Sequence, residues 1–389
     1  SNLGQTVGTP IITRMHNGNW AIIFGNGLAS SKSAGVYIGI VNATTGAVTF
    51  QFLDTGVGSS TVANGIAYVA TADLDGDQIT DYLYAGDQQG NVWRFDVTSK
   101  TASNWSVSKF GNTTAAPLYV AQSGASTPAL QPITTAPVVA SVAVGGGNRV
   151  MVMFGTGQKT PFNSTSGDVY ATGSQTFYGI WDWDMSTWNS TAISNAQYVS
   201  LTGTQTVTRA KLLQQTLAST STGSGTNSQV LGYRYLNVGT VVCWQGSTTC
   251  SSGNNQYGWL FDLPSTNEQI IYSPTLIGGA VVVNTAIPPT VSASTCNAGL
   301  QSGWTMAFDP ASGGGIVQSF FPGSNGSTST VNGSTVGGIQ LNGVGSPTSV
   351  SYNGQTYLVS QTVNGTAALS KVYPPNSGAS RVSWKEIRY

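Results

Sequence analysis

Charge is what this sequence has least of. Only 7% of its 389 residues are Asp, Glu, Lys or Arg, split evenly into 14 acidic and 14 basic, and it has a single histidine. No basic tract could follow a phosphate backbone, which argues against nucleic acid as a partner. The lone imidazole, His16, stands beside the turn dipeptide Asn17-Gly18, so it reads as a surface residue rather than the base of a Ser-His-Asp triad. The carboxylates offer no pair to prefer for glycoside hydrolysis. Long apolar runs are missing too. None approaches the roughly 20 residues that span a bilayer, and the opening residues lack the charged-then-apolar layout of a signal peptide. A soluble chain, mature or truncated, is expected. Cysteine is limited to Cys243, Cys250 and Cys296, at spacings that match no zinc pattern. Three single pairings are open, each leaving one thiol. Cys243 with Cys250, closing a short loop in a polar stretch, is the candidate disulfide for an oxidising compartment.

What is abundant points the other way from helices. There are 49 Gly, 10 Trp and 16 Tyr, with plentiful Ser, Thr and Asn, whereas Glu, Lys and Leu are scarce. Such a composition suits short strands joined by tight turns, and the expected fold class is all-β. A length of 389 residues exceeds a usual single core, so either several domains or one large repetitive architecture is required. Repeats favour the second.

Each repeat opens with a small residue and Pro ahead of an apolar strand: Thr9-Pro10-Ile11-Ile12, Ala136-Pro137-Val138-Val139, Ser273-Pro274-Thr275-Leu276 and Ser346-Pro347-Thr348-Ser349. A fifth, Asn64-Gly65-Ile66-Ala67, lacks the proline. Later strands end in Asp or Asn with Gly four residues on, as in Asn42 to Gly46 and Asp309 to Gly313, which fits a hairpin whose last turn residue is left-handed. Units of about four strands, mostly some 55 to 75 residues apart, indicate a β-propeller with loop insertions. Five blades are recognisable. The whole of 1–389 is read as one propeller domain, with a loop-rich insertion or degenerate blade at about 160–256 and a loop-like polar stretch from Ser219 to Ser228 within it.

Against this sparse charge, Asp73-Leu74-Asp75-Gly76-Asp77-Gln78-Ile79-Thr80-Asp81 places four acidic residues in nine positions, with no Lys or Arg between Lys32 and Arg94. Carboxylates at positions 1, 3, 5 and 9 match a Ca²⁺ loop. The expected ligands are Asp73, Asp75, Asp77, Asp81 and the main-chain oxygen of Ile79, with Mg²⁺ a poorer fit because it keeps more water. Gln78 occupies a position where Gly usually supports positive φ, so holding it there is expected to cost about 1 kcal/mol. Asp87 and Asp96 lie close by and read as hairpin turn residues. Without a nucleophile, acid or base alongside, the loop reads as a structural or regulatory clasp between two strands of one blade.

Several segments resemble the C-terminal propeller of the PilC/PilY family of type IV pilus tip adhesins and biogenesis factors. Asn19-Trp20-Ala21-Ile22-Ile23-Phe24-Gly25-Asn26-Gly27 is similar to a family strand, with Leu28 where an aromatic is usual. Ala72 to Asp87, continuing to Gly90-Asn91-Val92-Trp93-Arg94-Phe95-Asp96, is similar to the family's calcium loop and following strand. Further matches are Gln131 to Val138, Gly258 to Pro264, Cys296-Asn297-Ala298-Gly299 with Gly303-Trp304, and Arg381 to Glu386. The resemblance implies Ca²⁺ at Asp73, Asp75, Asp77, Ile79 and Asp81. It also implies a non-enzymatic, extracellular domain at the pilus tip or outer-membrane surface. There the domain would join minor pilins and support assembly, extension, retraction and attachment to an unspecified host or abiotic surface. The chain is then expected to be the C-terminal part of a larger protein, without the N-terminal adhesive region and the first blades of a seven-bladed propeller. Two alternatives differ in class. An extracellular carbohydrate-binding lectin would use exposed Trp and Tyr, although most of these lie on strands where packing between blades is commoner. A quinoprotein-like dehydrogenase would share the aromatic strands and Ca²⁺, but this chain has no adjacent Cys pair for the vicinal disulfide usual there.

Overall fold

In the computed structural model, which describes residues 2–163, 167–251, 253–289, 300–375 and 379–381, strands dominate and helices are limited to single turns. No described helix is long and apolar enough to cross a membrane. Among the described residues, five sheets of three or more strands are present, and each contains a strand at one of the five openers.

The first blade is a meander of β1 (Ile11–Met15), β2 (Trp20–Gly25), β3 (Gly35–Val41) and β4 (Val48–Asp54). The second holds β5 (Ile66–Ala72), β7 (Tyr82–Asp87) and β8 (Asn91–Asp96), finished by the short strands β9 (Ser106–Val107) and β10 (Tyr119–Val120), both paired with β8. Between β5 and β7 lies β6 (Ile79–Thr80), which pairs with the first blade, parallel to β1. The third blade runs β11 (Val138–Val144), β12 (Gly147–Gly155), β15 (Thr176–Asp182), β19 (Gly258–Asp262) and β16 (Leu213–Gln215). A separate hairpin of β13 (Lys159–Asn163) and β14 (Gly167–Tyr170) interrupts it.

The fourth blade contains β20 (Thr275–Ile277), β21 (Ala280–Asn284), β22 (Thr305–Phe308) and β23 (Ser334–Ile339). Its outer edge is completed by two strands from earlier in the chain, β18 (Gly232–Asn237) and β17 (Leu217–Thr222). The stretch between residues 160 and 256 thus supplies strands to both the third and the fourth blade. Ser219 to Thr222, expected as loop, is strand because Gly232 to Tyr235 offers it an edge. The fifth blade is β24 (Gly343–Tyr352), β25 (Gln355–Thr362) and β26 (Ala367–Val372). A last strand, β27 (Ala379–Arg381), pairs with the free edge of β11.

Proline accounts for where the inner strands start. Pro10, Pro137 and Pro274 sit just ahead of β1, β11 and β20, where a missing N–H costs no ladder bond. Pro347 instead falls inside β24, at a register shift between Val344 and Thr348, the kind of bulge that tolerates it. The expected turns form with Gly46 N–H donating to Asn42 O and Gly313 N–H to Asp309 O, both glycines at positive φ.

The five openers converge on one axis. Thr9, Tyr68, Pro137, Tyr272 and Ser346, one from each blade, share the wall of a central cavity of about 650 Å³. Away from that axis the blades are held together by aromatics: Phe177 stacks on Phe308 at 5.3 Å across the third and fourth blades, and Tyr119 meets Tyr178 at 5.3 Å across the second and third. Trp93, Trp181, Trp183 and Trp259 are fully buried. The scarce charges pair inside as well. Arg94 of β8 donates to both oxygens of Asp182 at 2.8 and 2.9 Å, and Tyr84 donates to the same carboxylate at 2.6 Å. Arg234 of β18 does likewise with Glu268 at 2.7 and 2.8 Å.

Candidate metal centre

The acidic loop leaves β5 and re-enters the sheet at β7, so both of its ends are fixed by the second blade. Asp81 N–H donates to Ala72 O at 2.8 Å, closing the base. Asp73 organises the turn: its Oδ1 accepts from Gly76 N–H at 2.8 Å and Asp77 N–H at 3.1 Å, and its Oδ2 from Gln78 N–H at 2.8 Å. These bonds wrap the chain so tightly that Gly76 and Gln78 both adopt left-handed backbone, at φ 81° and 68°. Gln78 thus takes the conformation expected of it, at the strain a side chain brings there.

The wrapping gathers three carboxylates. Oxygens of Asp73, Asp75 and Asp81 lie within 4.8 Å of one another, with Asp73 and Asp81 buried and Asp75 exposed. Asp77 stands outside this group, and its Oδ1 accepts the Ile79 N–H at 2.8 Å. Ile79 lies in β6, in register with Arg14.

Burial makes the negative charge expensive. It pushes the Asp81 carboxyl up to about 6, against the lowering effect of His16 and of the Leu74 N–H that donates to Oδ2 at 2.6 Å. Asp73 is raised as well, mainly by burial, with the Gln78 and Gly76 N–H groups opposing and the Asp77 and Asp75 charges adding to the shift. A donor set of hard carboxylate oxygens, partly buried and mutually repelling, fits a hard divalent cation and fits no soft or thiolate-seeking one.

His16 belongs to this site. Its Nε2 is 2.7 Å from Asp81 Oδ1, so the imidazole expected at the surface is partly buried against a carboxylate that is fully buried. The hydrogen bond to Asp81 raises its pKa, against burial. Tyr198 is a second residue the sequence did not point to; its hydroxyl donates to Leu74 O at 2.9 Å. Neither was legible because 65 residues separate His16 from Asp81 and 124 separate Tyr198 from Leu74. The only hint was a solitary histidine in a charge-poor chain.

Asp87 opens a hairpin turn as expected and is more than a turn residue, whereas Asp96 ends β8 ahead of an irregular stretch, its Oδ1 accepting the Thr98 N–H at 3.0 Å. Buried at the start of the β7–β8 turn, Asp87 accepts from Asn64, Asn91 and the Trp93 indole N–H, at 2.9 Å for the last. Far from the acidic loop, Cys243 and Cys250 are joined in a disulfide with Cα atoms 5.6 Å apart. Cys296 lies outside the described residues.

Comparison with known proteins places this geometry in a family. The model of the PilY1 beta-propeller domain matches residues 1–226. The type IV pilus biogenesis factor PilY1 of Pseudomonas aeruginosa strain PAO1 is 30% identical over 337 residues, which cover 80% of this chain and 26% of that protein. A PilY1 homologue from Xylella fastidiosa is 28% identical over 356 residues, 88% of this chain and 21% of its own length. The chain therefore spans about a quarter of the length of these relatives. Among solved structures, the crystal structure of the P. aeruginosa PilY1 C-terminal domain superposes with a TM-score of 0.66 at 28% identity, covering 96% of this chain and 73% of that one. With the family model matching more than half of its residues, this chain belongs to the PilY1 β-propeller family of type IV pilus biogenesis factors.

Proposed function

We propose that this propeller is a calcium-binding, non-catalytic module of a type IV pilus tip protein. In this reading it acts outside the cell with minor pilins as partners and supports pilus assembly, extension and retraction, and surface attachment. The observation that carries the calcium part is the meeting of Asp73, Asp75 and Asp81 within 4.8 Å in a loop whose Gln78 is held at φ 68°. Asp77 and the Ile79 carbonyl would complete the oxygen set, and the ion would neutralise carboxylates that burial disfavours as anions. Its role is to fix a loop. The pilus part rests on family membership.

Calorimetric titration of the chelator-treated protein with Ca²⁺ tests the first part. One site per chain is expected, with Asp75→Ala abolishing it and a rise in melting temperature that grows with calcium concentration. Unchanged melting with and without chelator removes the calcium reading. For the second part, Asp75→Ala in the natural protein should alter surface piliation or twitching while leaving protein levels intact; wild-type behaviour would separate calcium from pilus function.

A further inference from the structure

The loop's neighbours are not confined to one blade. β6 is only two residues long, yet it pairs in parallel with β1, Arg14 with Ile79 and Met15 with Thr80. Thr13 Oγ1 and Thr80 Oγ1 lie 2.8 Å apart, a third link beside the two main-chain ones. Immediately beyond, His16 reaches Asp81. Its ring is presented by a tight turn in which Gly18 N–H donates to Met15 O at 2.9 Å and Met15 N–H to Asn19 O at 3.0 Å. On the other side, Tyr198, which follows β15 of the third blade, holds the Leu74 carbonyl, while the Leu74 N–H serves Asp81. Three blades therefore meet at nine residues.

From this we infer that the acidic loop is a joint between blades: a cation at Asp73, Asp75 and Asp81 locks β6 onto β1, and His16 is the positioning residue that ties the Asp81 carboxylate to the first blade. The inference rests on the calcium reading and adds what the ion controls. A two-residue parallel strand has too few hydrogen bonds to stay docked by itself, and mutual repulsion among the carboxylates opposes the loop conformation that presents it. An ion that gathers the carboxylates removes that opposition. Docking of β6 then follows, because Ile79 and Thr80 lie between ligand positions 5 and 9. His16 acts as outer partners of ligating groups generally do, by holding one carboxylate oxygen so that the other lone pairs stay aimed at the ion. Ion occupancy in the second blade would in this way set the rigidity of the first.

Hydrogen exchange on the whole chain, with calcium and with chelator, tests the joint directly. Slower exchange is expected on calcium addition at Arg14 to His16 as well as at residues 73–81. Calorimetry on His16→Ala should show calcium affinity reduced ~10- to 100-fold with one site retained, and His16→Gln, which keeps an N–H donor, should recover part of it. Calcium protection restricted to residues 73–81, or His16→Ala binding as tightly as wild type, overturns the joint while leaving the calcium site standing. Absence of calcium binding by the wild-type chain overturns both together. The exchange comparison needs no variant, so it decides even if His16→Ala does not fold.

Discussion

Gln78 shows how much a single backbone angle contributes at this site. Its N–H is drawn to Asp73 Oδ2 at 2.8 Å, and the resulting φ of 68° is one that a side chain adopts at a cost of roughly 1 to 2 kcal/mol. Glycine at 78 would reach the closed loop more easily. Gln78→Gly is therefore expected to tighten calcium binding about fivefold, the equivalent of ~1 kcal/mol, in a calorimetric titration. No gain, or a loss, would mean that the glutamine side chain itself contributes to the loop. The four carboxylates and the odd residue at 78 were legible in the sequence because the bonds that wrap the turn run from Asp73 to residues no more than five positions on. His16 was not, because its role depends on how two blades are placed and no local pattern encodes that.

At the scale of elements, the notable departure from a simple meander is the crossing of β17 and β18 to the fourth blade before the chain returns to the third at β19. The openers at Pro10, Pro137 and Pro274 could be read because X-Pro followed by a β-branched or apolar run is a local signal. A strand that joins a sheet formed by residues 100 positions later leaves no such mark, so this stretch reads as loop. Arg234 accounts for the crossing energetically. On β18 it meets Glu268 of the linker between the two blades, its guanidinium lies 4.1 Å over Trp304, and Thr285 donates to the same glutamate at 2.6 Å. Both charged side chains are almost wholly inaccessible. Removing one of such a pair leaves a buried charge unmatched, so Glu268→Ala should destabilise the protein by about 3 to 5 kcal/mol in urea unfolding. Arg234→Met combined with Glu268→Leu should recover most of that loss. A double variant as unstable as the single one would show that the pair supplies more than charge balance.

For the whole molecule, the two faces of the first blade differ in a way that bears on what surrounds it. Ala21, Ile23, Val36, Ile38 and Leu53 pack against Ile66, Leu83, Trp93 and Phe95 of the second blade. The opposite face carries an equally apolar ladder, Ile12 beside Ile22, Phe24 beside Tyr37 and Phe52, and Trp20 beside Val41 and Val48, with Phe50 opposite Gly39. Ile12 is 70% exposed, Phe50 57% and Trp20 50%. Burying a Phe-sized side chain is worth roughly 1.5 to 3 kcal/mol, and contiguous apolar faces of this extent mark an interaction surface. In a ring of blades packed face to face, the natural cover is a further blade. The matched solved domain is longer than this chain, and the P. aeruginosa relative is about three times as long. We therefore propose that the residues of a further blade, carried by a longer chain of this family such as the matched solved domain, cover this face. In a chain extended to include them, Trp20 fluorescence should shift to the blue and resist acrylamide quenching. Phe50→Asp should then cost about 2 kcal/mol or more, against about 0.5 kcal/mol or less in residues 1–389 alone. Equal costs in the two chains would leave this face to a separate partner, and association of residues 1–389 that depends on concentration and is lost in Phe50→Asp would identify that partner as a second copy.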